Sequence, residues 1–369
     1  MDNNCEVGRI SPFFEVKNTT YGGRACFSAA PLEKGTVVLE ANDSVGTCVA
    51  YDFRKEVCHN CYTYQDGKTM KFKMTYPDIA HLVTDEVKIN AKKFNGAGLW
   101  FCSEACKLEF LTQPHVIELI ACYELLLSVL KMMQKRAVDE LQERSREQIT
   151  EDVINHAWLE VIDSWIPKID KMKLSKKMSQ LPDITEEEYN CARFVIKSLF
   201  TLKYLDPESQ TKAAFKTLQS NELSKIARFP ILLDFQILIF KTLYIILPGY
   251  TRQNLSVKLF RHILGSEYGN AFGIWEQEEL SENREFLGYA VYPRASYFNH
   301  SCDPNLTKSR IKGTMVFTAN KDVPKGEPLC IDYSGLLSHT MLKRRQLLKE
   351  NWFFECCCTR CESELQAIH

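Results

Sequence analysis

Two hydrophobic periods divide this chain. From Phe13 to Ala50, apolar residues fall in short β-type runs broken by turn signals. Phe13-Phe14-Glu15-Val16 precedes the turn at Tyr21-Gly22-Gly23, and Thr36-Val37-Val38-Leu39-Glu40 follows Glu33-Lys34-Gly35. Residues 57–112 are irregular and bounded by cysteines. From His115 the period changes: Ile117, Leu119, Ile120, Leu125, Leu126, Val129 and Leu130 recur at helical spacing, and the 133–152 stretch carries mixed charge. Thr185-x-x-Glu188, behind the breaker Leu181-Pro182-Asp183, predicts a helix opened by a capping box. Helical patterning runs to Leu264, strand-like sequence resumes through Tyr333, and a short helix is expected over 338–350. The order β, cysteine-rich, helical, β predicts one β domain split by insertions.

Bulk properties narrow the class. With 369 residues, the chain is long enough for two domains or for one with large insertions. A net charge of −1 with 25% charged and 45% hydrophobic residues excludes a disordered chain and argues against direct nucleic-acid binding. The most apolar stretch, Ile231 to Leu247, contains Asp234, Gln236 and Lys241, so it reads as a buried helix and no membrane association is expected. Asp2, Asn3, Asn4 and Glu6 interrupt any apolar run at the start, so no cleavable signal is expected. Fifteen cysteines without a secretory signal predict a reducing compartment and structural zinc. Cys58-x-x-Cys61, Cys102-x-x-x-Cys106 and the Cys356–Cys361 run are clustered, whereas Cys5, Cys26, Cys48, Cys122, Cys191 and Cys330 are scattered thiols.

The most specific signal is Asn299-His300-Ser301-Cys302-Asp303-Pro304-Asn305, followed by Gly326-Glu327-Pro328-Leu329-Cys330-Ile331-Asp332-Tyr333 and then Cys356-x-Cys358-x-x-Cys361. Taken alone, the first tract is equally an ordinary polar turn formed by Asp303-Pro304-Asn305, and Tyr333 a packed strand aromatic. In this order, the three pieces resemble the SET domain of protein lysine methyltransferases. The resemblance implies an α+β SET fold of small sheets with a pseudoknot, and S-adenosylmethionine as cofactor. Under it, Asn299 and His300 contact the adenosyl part, Tyr333 is the catalytic tyrosine, and Phe354 packs on the adenine. Tyr292 and Tyr297 are further candidates for the walls of a lysine tunnel, and one of Phe353 and Phe354 is expected to serve only the core. Gly23-Arg24-Ala25-Cys26-Phe27 resembles the Gly-Arg-Gly-x-Phe turn that cradles the methionine end, with Ala25 replacing the second glycine. Asn270 matches an asparagine beside the cofactor in SET-and-MYND proteins, with a helix-ending turn as the competing reading. Cys302 is implied as the fourth ligand of a zinc held by Cys356, Cys358 and Cys361; Cys357 is a bystander.

Cys58-x-x-Cys61 and Cys102-x-x-x-Cys106 resemble the first-site ligands of a MYND zinc finger. The cysteine pair expected between them is missing, because residues 62–101 contain no cysteine. One zinc held by Cys58, Cys61, Cys102 and Cys106 is therefore expected. His115 and Cys122, separated by six intervening residues instead of three, read as helix residues, and His59 as a solvated side chain. The lysines at 68, 71, 73, 88, 92 and 93, and those at 171, 173, 176 and 177, read as solvated faces. The implied organisation is an N-terminal SET part over 1–56, a degenerate finger over 57–114, a helical insertion over 115–265, a C-terminal SET part over 266–335 and a post-SET zinc region over 336–369.

The overall likeness is to the shorter fungal-type SET-and-MYND proteins. Because the sequence continues only eight residues past Cys361, a less covered substrate cleft is expected. The implied function is S-adenosylmethionine-dependent methylation of a lysine on a protein, with histones among the possible substrates. A zinc-bearing interaction module with a SET fold and little turnover is the alternative, favoured by Ala25 and the reduced finger. The expected partners are a protein substrate and proteins at the finger. A monomer in the nucleus and/or cytoplasm is expected.

Overall fold

The computed structural model describes residues 10–19, 23–135, 148–276, 284–333 and 335–367. Tyr21 and Gly22 of the first expected turn, and most of the mixed-charge 133–152 stretch, lie outside them. The chain divides into two compact units: residues 1–44, 206–218 and 291–369 form the first, and residues 45–205 and 219–290 the second. Among the described residues no helix is long and apolar enough to cross a membrane.

The first unit is built on two small sheets. Strand Phe14–Asn18 alternates buried Phe14 and Val16 with Glu15, as a half-buried strand requires, and pairs antiparallel with Arg24–Ser28 from Phe14↔Ser28 to Asn18↔Arg24. The free edge of Arg24–Ser28 takes Pro328–Ile331 antiparallel, with Leu329 opposite Cys26. That strand in turn pairs in parallel with Asn299–His300, placing Cys330 opposite Asn299 and Ile331 opposite His300. The second sheet has the order Leu306–Ile311, Thr314–Ala319, Val37–Ala41. Phe298, just before the parallel pair, joins the sheets: its ring centroid is 5.0 Å from Phe14 and 4.8 Å from Phe317. Residues 206–218 lie within the helical stretch of the sequence, yet they belong to this unit. Here Thr211 donates to Asp43, which also receives both Arg294 nitrogens at 2.8 Å, and Tyr297 Oη donates to the Ala214 carbonyl at 2.9 Å.

The second unit packs helices around a three-stranded sheet ordered Gly46–Val49, Phe286–Val291, Ala271–Trp275. The periodic stretch from His115 forms the helix Val116–Met133, and the apolar one the helix Ile231–Ile246, where buried Gln236 donates to Tyr268 Oη at 2.9 Å. The capping box holds: Thr185 N–H donates to Glu188 at 2.7 Å, opening the helix Glu186–Tyr204. Helix Val257–Asn270 runs six residues beyond the expected end at Leu264. Gly265, Ser266 and Gly269 carry no apolar side chain to mark it, and close approach explains Gly265, whose Cβ would lie 1.9 Å from Ser220 Oγ.

Two buried ions clamp the loop that leads into the second cysteine pair. The Glu124 carboxylate accepts from the backbone N–H groups of Asn95 at 2.8 Å and Ala97 at 2.7 Å, and from Asn95 Nδ2 at 3.1 Å. Arg193 Nη1 donates to the Ala97 carbonyl at 2.8 Å while its guanidinium lies 3.8 Å from the Tyr123 ring centroid. The loop needs this grip because Ala97 has φ +51° between Gly96 and Gly98, both also left-handed. Glu124→Ala leaves the buried Ala97 N–H without its acceptor and the half-buried Asn95 N–H to water, and a loss of about 1–3 kcal/mol is expected, the cost of one orphaned buried group. A urea midpoint within error of the parent would contradict the clamp.

Candidate active site and metal centres

Tyr333 follows the strand that crosses Asn299–His300, and the crossing is fastened at several points. Ser301 N–H donates to the Ile331 carbonyl at 3.0 Å. Asn305 clasps the same strand with both ends of its amide: Nδ2 donates to the Pro328 carbonyl at 2.9 Å and Oδ1 accepts from Cys330 N–H at 2.9 Å. The Asp-Pro-Asn segment is therefore a fastener for the strand as well as a turn. Asn299 Nδ2 donates to the Arg24 carbonyl at 3.0 Å, which ties the Gly23-Arg24 turn to the crossing.

Tyr333 Oη lies 3.3 Å from the Phe298 carbonyl, to which it donates. Burial raises its phenol above the ordinary value, so it stays protonated at neutral pH. Its backbone N–H donates to His300 Nδ1 at 3.2 Å, and its carbonyl accepts from Lys308 Nζ at 2.7 Å. Around the phenol ring stand His300 at 5.4 Å, Trp352 at 5.5 Å and Phe354 at 6.3 Å between centroids. Helix Met341–Trp352 ends at Phe353, whose left-handed φ of +62° turns the chain and allows both Trp352 and Phe354 to reach Tyr333. Burial lowers the pKa of His300, so the imidazole is neutral at physiological pH.

Gly23 has φ +69°, and no atom of the described residues lies within 4 Å of where a Cβ would stand. Ala25 sits in regular strand opposite Lys17, and its φ is not positive. Arg24 sends its guanidinium to the Thr217 carbonyl and over the Tyr297 ring, 5.0 Å from the centroid. Tyr292 and Tyr297 are buried with their hydroxyls engaged inside the fold, on the Gly313 and Ala214 carbonyls respectively. Asn270 lies in the other unit, as the last residue of its helix, where Nδ2 donates to the Ser266 carbonyl at 2.8 Å and the Gln219 carbonyl at 3.1 Å.

Both expected sets of four cysteines come together: Cys58, Cys61, Cys102 and Cys106 in the second unit, and Cys302, Cys356, Cys358 and Cys361 in the first. Each set has its sulfurs within 4.8 Å of one another. A zinc–sulfur length of about 2.3 Å gives a tetrahedron with edges of about 3.8 Å. The separations Cys61–Cys102 at 3.6 Å, Cys102–Cys106 at 3.4 Å, Cys302–Cys356 at 3.9 Å and Cys302–Cys361 at 3.5 Å fit that figure. One sulfur in each set is held well below the ordinary thiol value by a hydrogen bond from a neighbouring cysteine, Cys61 by Cys58 and Cys358 by Cys356. Local structure supplies the spacing. Ser103 caps the helix Glu104–Leu111 by accepting from Cys106 N–H at 3.1 Å, and Cys358 stands at the N-cap of Thr359–Gln366 with Cys361 one turn in.

His115 and Cys122 belong to neither set. His115 stacks on Tyr204 at 4.1 Å, and Cys122 meets Thr251 Oγ1 at 3.4 Å. His59 is not solvated as expected: it is buried, and its Nδ1 accepts from Trp100 N–H at 3.2 Å. The short strand Trp100–Phe101 folds against the first cysteine pair, a packing that the sequence order of the finger does not reveal. Sequence reasoning also missed Trp352 and Lys308. The only signal for Trp352 was a third large aromatic immediately before Phe353 and Phe354, and for Lys308 there was none.

The SET-domain model matches residues 23–334. The chain belongs to the SET-domain family. This SET-domain protein is 53% identical over 368 residues, 99% of each chain, to the "Potential protein lysine methyltransferase SET6" of Saccharomyces cerevisiae. It is 38% identical over 107 residues to a SET and MYND domain-containing protein of Dictyostelium discoideum, covering 29% of this chain and 24% of that one. A likeness to the human "Histone-lysine N-methyltransferase SMYD3", 37% over 78 residues, covers 21% and 18%. The solved SET domain of LSMT bound to Lysine and AdoHcy aligns over 94% of this chain and 54% of that one, at 12% identity and a TM-score of 0.32, too loosely to carry an argument.

Two zinc ions per chain are expected from elemental analysis of the SET-domain protein, and one each for Cys61→Ser and Cys302→Ser, which break different sets. Acid should release both, because every ligand sulfur must shed its proton to bind. Full zinc content in either variant would remove that cysteine from the ligand set.

Proposed function

We propose that this chain is an S-adenosylmethionine-dependent methyltransferase acting on a lysine side chain of a protein, with histones among the substrates to be tried. The observation that carries the reading is the buried phenol of Tyr333, held on the Phe298 carbonyl beside the Asn299–His300 crossing. The residues fit the cofactor: Gly23 is left-handed beside open space, and Asn299, Trp352 and Phe354 are half-buried, with faces still available. Gly23, Arg24, Ala25, Asn299, His300 and Phe354 would hold it. When bound, it supplies an electrophilic methyl group on a sulfonium.

The protein's own contribution is alignment and exclusion of water. A lysine amine has a reference pKa of about 10.4 and must arrive neutral. Aromatic walls achieve this by disfavouring the ammonium. The Tyr333 hydroxyl, donating to Phe298, keeps its oxygen lone pairs for an N–H of the amine. That contact directs the nitrogen lone pair, and the phenol does not need to ionise. Ala25 gives no support to an inactive interaction module, since the strand it occupies is regular without a second glycine.

Titration calorimetry of the zinc-loaded protein should show S-adenosylmethionine binding that Tyr333→Phe retains. In a transfer assay with labelled cofactor and histone or whole-proteome substrates, Tyr333→Phe should lose roughly 10²-fold or more in rate, the usual scale for an oriented catalytic hydroxyl. A folded, zinc-replete protein that binds no cofactor would sink the reading.

A further inference from the structure

We propose that the His300 side chain is a positioning residue that ties the cysteine cluster of the tail to Tyr333. The contact stands on geometry alone, whereas its kinetic consequence rests on the methyltransferase reading. Counting donors fixes the state of the ring. Tyr333 N–H donates to Nδ1 at 3.2 Å, so Nδ1 carries no proton and the neutral imidazole keeps its hydrogen on Nε2. Nε2 stands 3.3 Å from Cys302 Sγ, so its N–H donates to the sulfur. The side chain is wholly buried, with the Tyr333 and Phe354 rings packed beside it at 5.4 and 6.3 Å between centroids. Asp332 approaches Nδ1 only to 3.8 Å, beyond hydrogen-bond distance, so the bridge consists of two bonds.

The far end of the bridge is rigid. Arg360 Nη1 donates to the Cys302 carbonyl at 3.0 Å, Arg344 Nη2 lies 3.7 Å from Cys361 Sγ, and both arginines meet Glu364. A cluster fixed by its metal thus fixes Cys302 Sγ, the sulfur orients the ring, and the ring sets the register of the Tyr333 amide. Groups bonded to a metal ligand routinely tune what that ligand does. Here the same logic runs outward from the zinc to a tyrosine that does not touch it.

Two substitutions cut the bridge at opposite ends. His300→Gln can place an amide N–H where Nε2 stood but offers no acceptor at the Nδ1 position. His300→Asn can place an acceptor near Nδ1 but does not reach the sulfur. Both should keep two zinc ions, with turnover reduced roughly 10–100-fold, the usual cost of losing a partner of a metal ligand. His300→Asn alone should also release the tail zinc faster to a chelator. Independently of activity, NMR of nitrogen-labelled, cadmium-substituted parent protein should show an unprotonated Nδ1 and a through-hydrogen-bond coupling between cadmium and the Nε2 proton. A protonated Nδ1, a missing coupling, or parental turnover in either variant would overturn the proposal. If the parent protein transfers no methyl group, the methyltransferase reading falls while the cadmium measurement still judges the bridge. That measurement also decides the matter if the variants do not fold.

Discussion

The parallel pairing of Asn299–His300 with Cys330–Ile331 is the constraint on which the first unit depends. Only two residues on each side take part, and parallel pairs are slightly weaker per residue than antiparallel ones. The crossing persists because side chains do much of the fastening, above all Asn305, whose amide replaces two ladder bonds. Everything chemical hangs from it: Tyr333 leaves one strand, Cys302 leaves the other, and His300 lies between them. A slip of one residue would part His300 from the Tyr333 backbone, since the two contacting residues lie on different sides of the crossing.

What the sequence revealed was local. Asn299-His300-Ser301-Cys302, the Tyr333 strand and both cysteine sets were legible because their spacing is carried by single turns and short strands. The Thr185 capping box was legible for the same reason. What stayed hidden was set by tertiary packing. His59 looks solvated in sequence because nothing nearby announces the strand at Trp100–Phe101 that buries it. Lys308 gains its meaning only from where the Tyr333 carbonyl falls, and the end of the helix at Asn270 is disguised by small residues that pack closely. The attachment of residues 206–218 to the first unit depends on Asp43 and Tyr297, which no periodicity could link to that segment.

The two cysteine sets also differ in character. Four thiolates around a divalent zinc leave two excess negative charges, costly to bury unless offset. In the tail set, the offset comes from the buried Arg344 beside Cys361 and the N–H of His300 on Cys302. In the finger set, hydroxyls stand beside the sulfurs, Thr63 near Cys61 at 3.2 Å and Ser103 near Cys102 at 4.0 Å. Lys107, close in sequence to Cys106, is engaged with Asp78 and Glu104 at 2.8 and 3.0 Å. The tail set thus carries a cationic offset at its sulfurs, while the Glu124 and Arg193 clamp holds the loop that leads to the second finger pair.

The pairing of Cys26 with Leu329 joins residues about 300 positions apart. On a ribosome adding about 5–20 residues per second, the strand Arg24–Ser28 therefore emerges roughly 15–60 s before its second partner exists. During that interval one edge is satisfied by Phe14–Asn18, and the other presents unpaired backbone groups next to buried-type side chains such as Ala25 and Cys26. An unpaired edge of this kind is a template for pairing with another chain, so this strand is the one whose shielding during synthesis matters most in the first sheet.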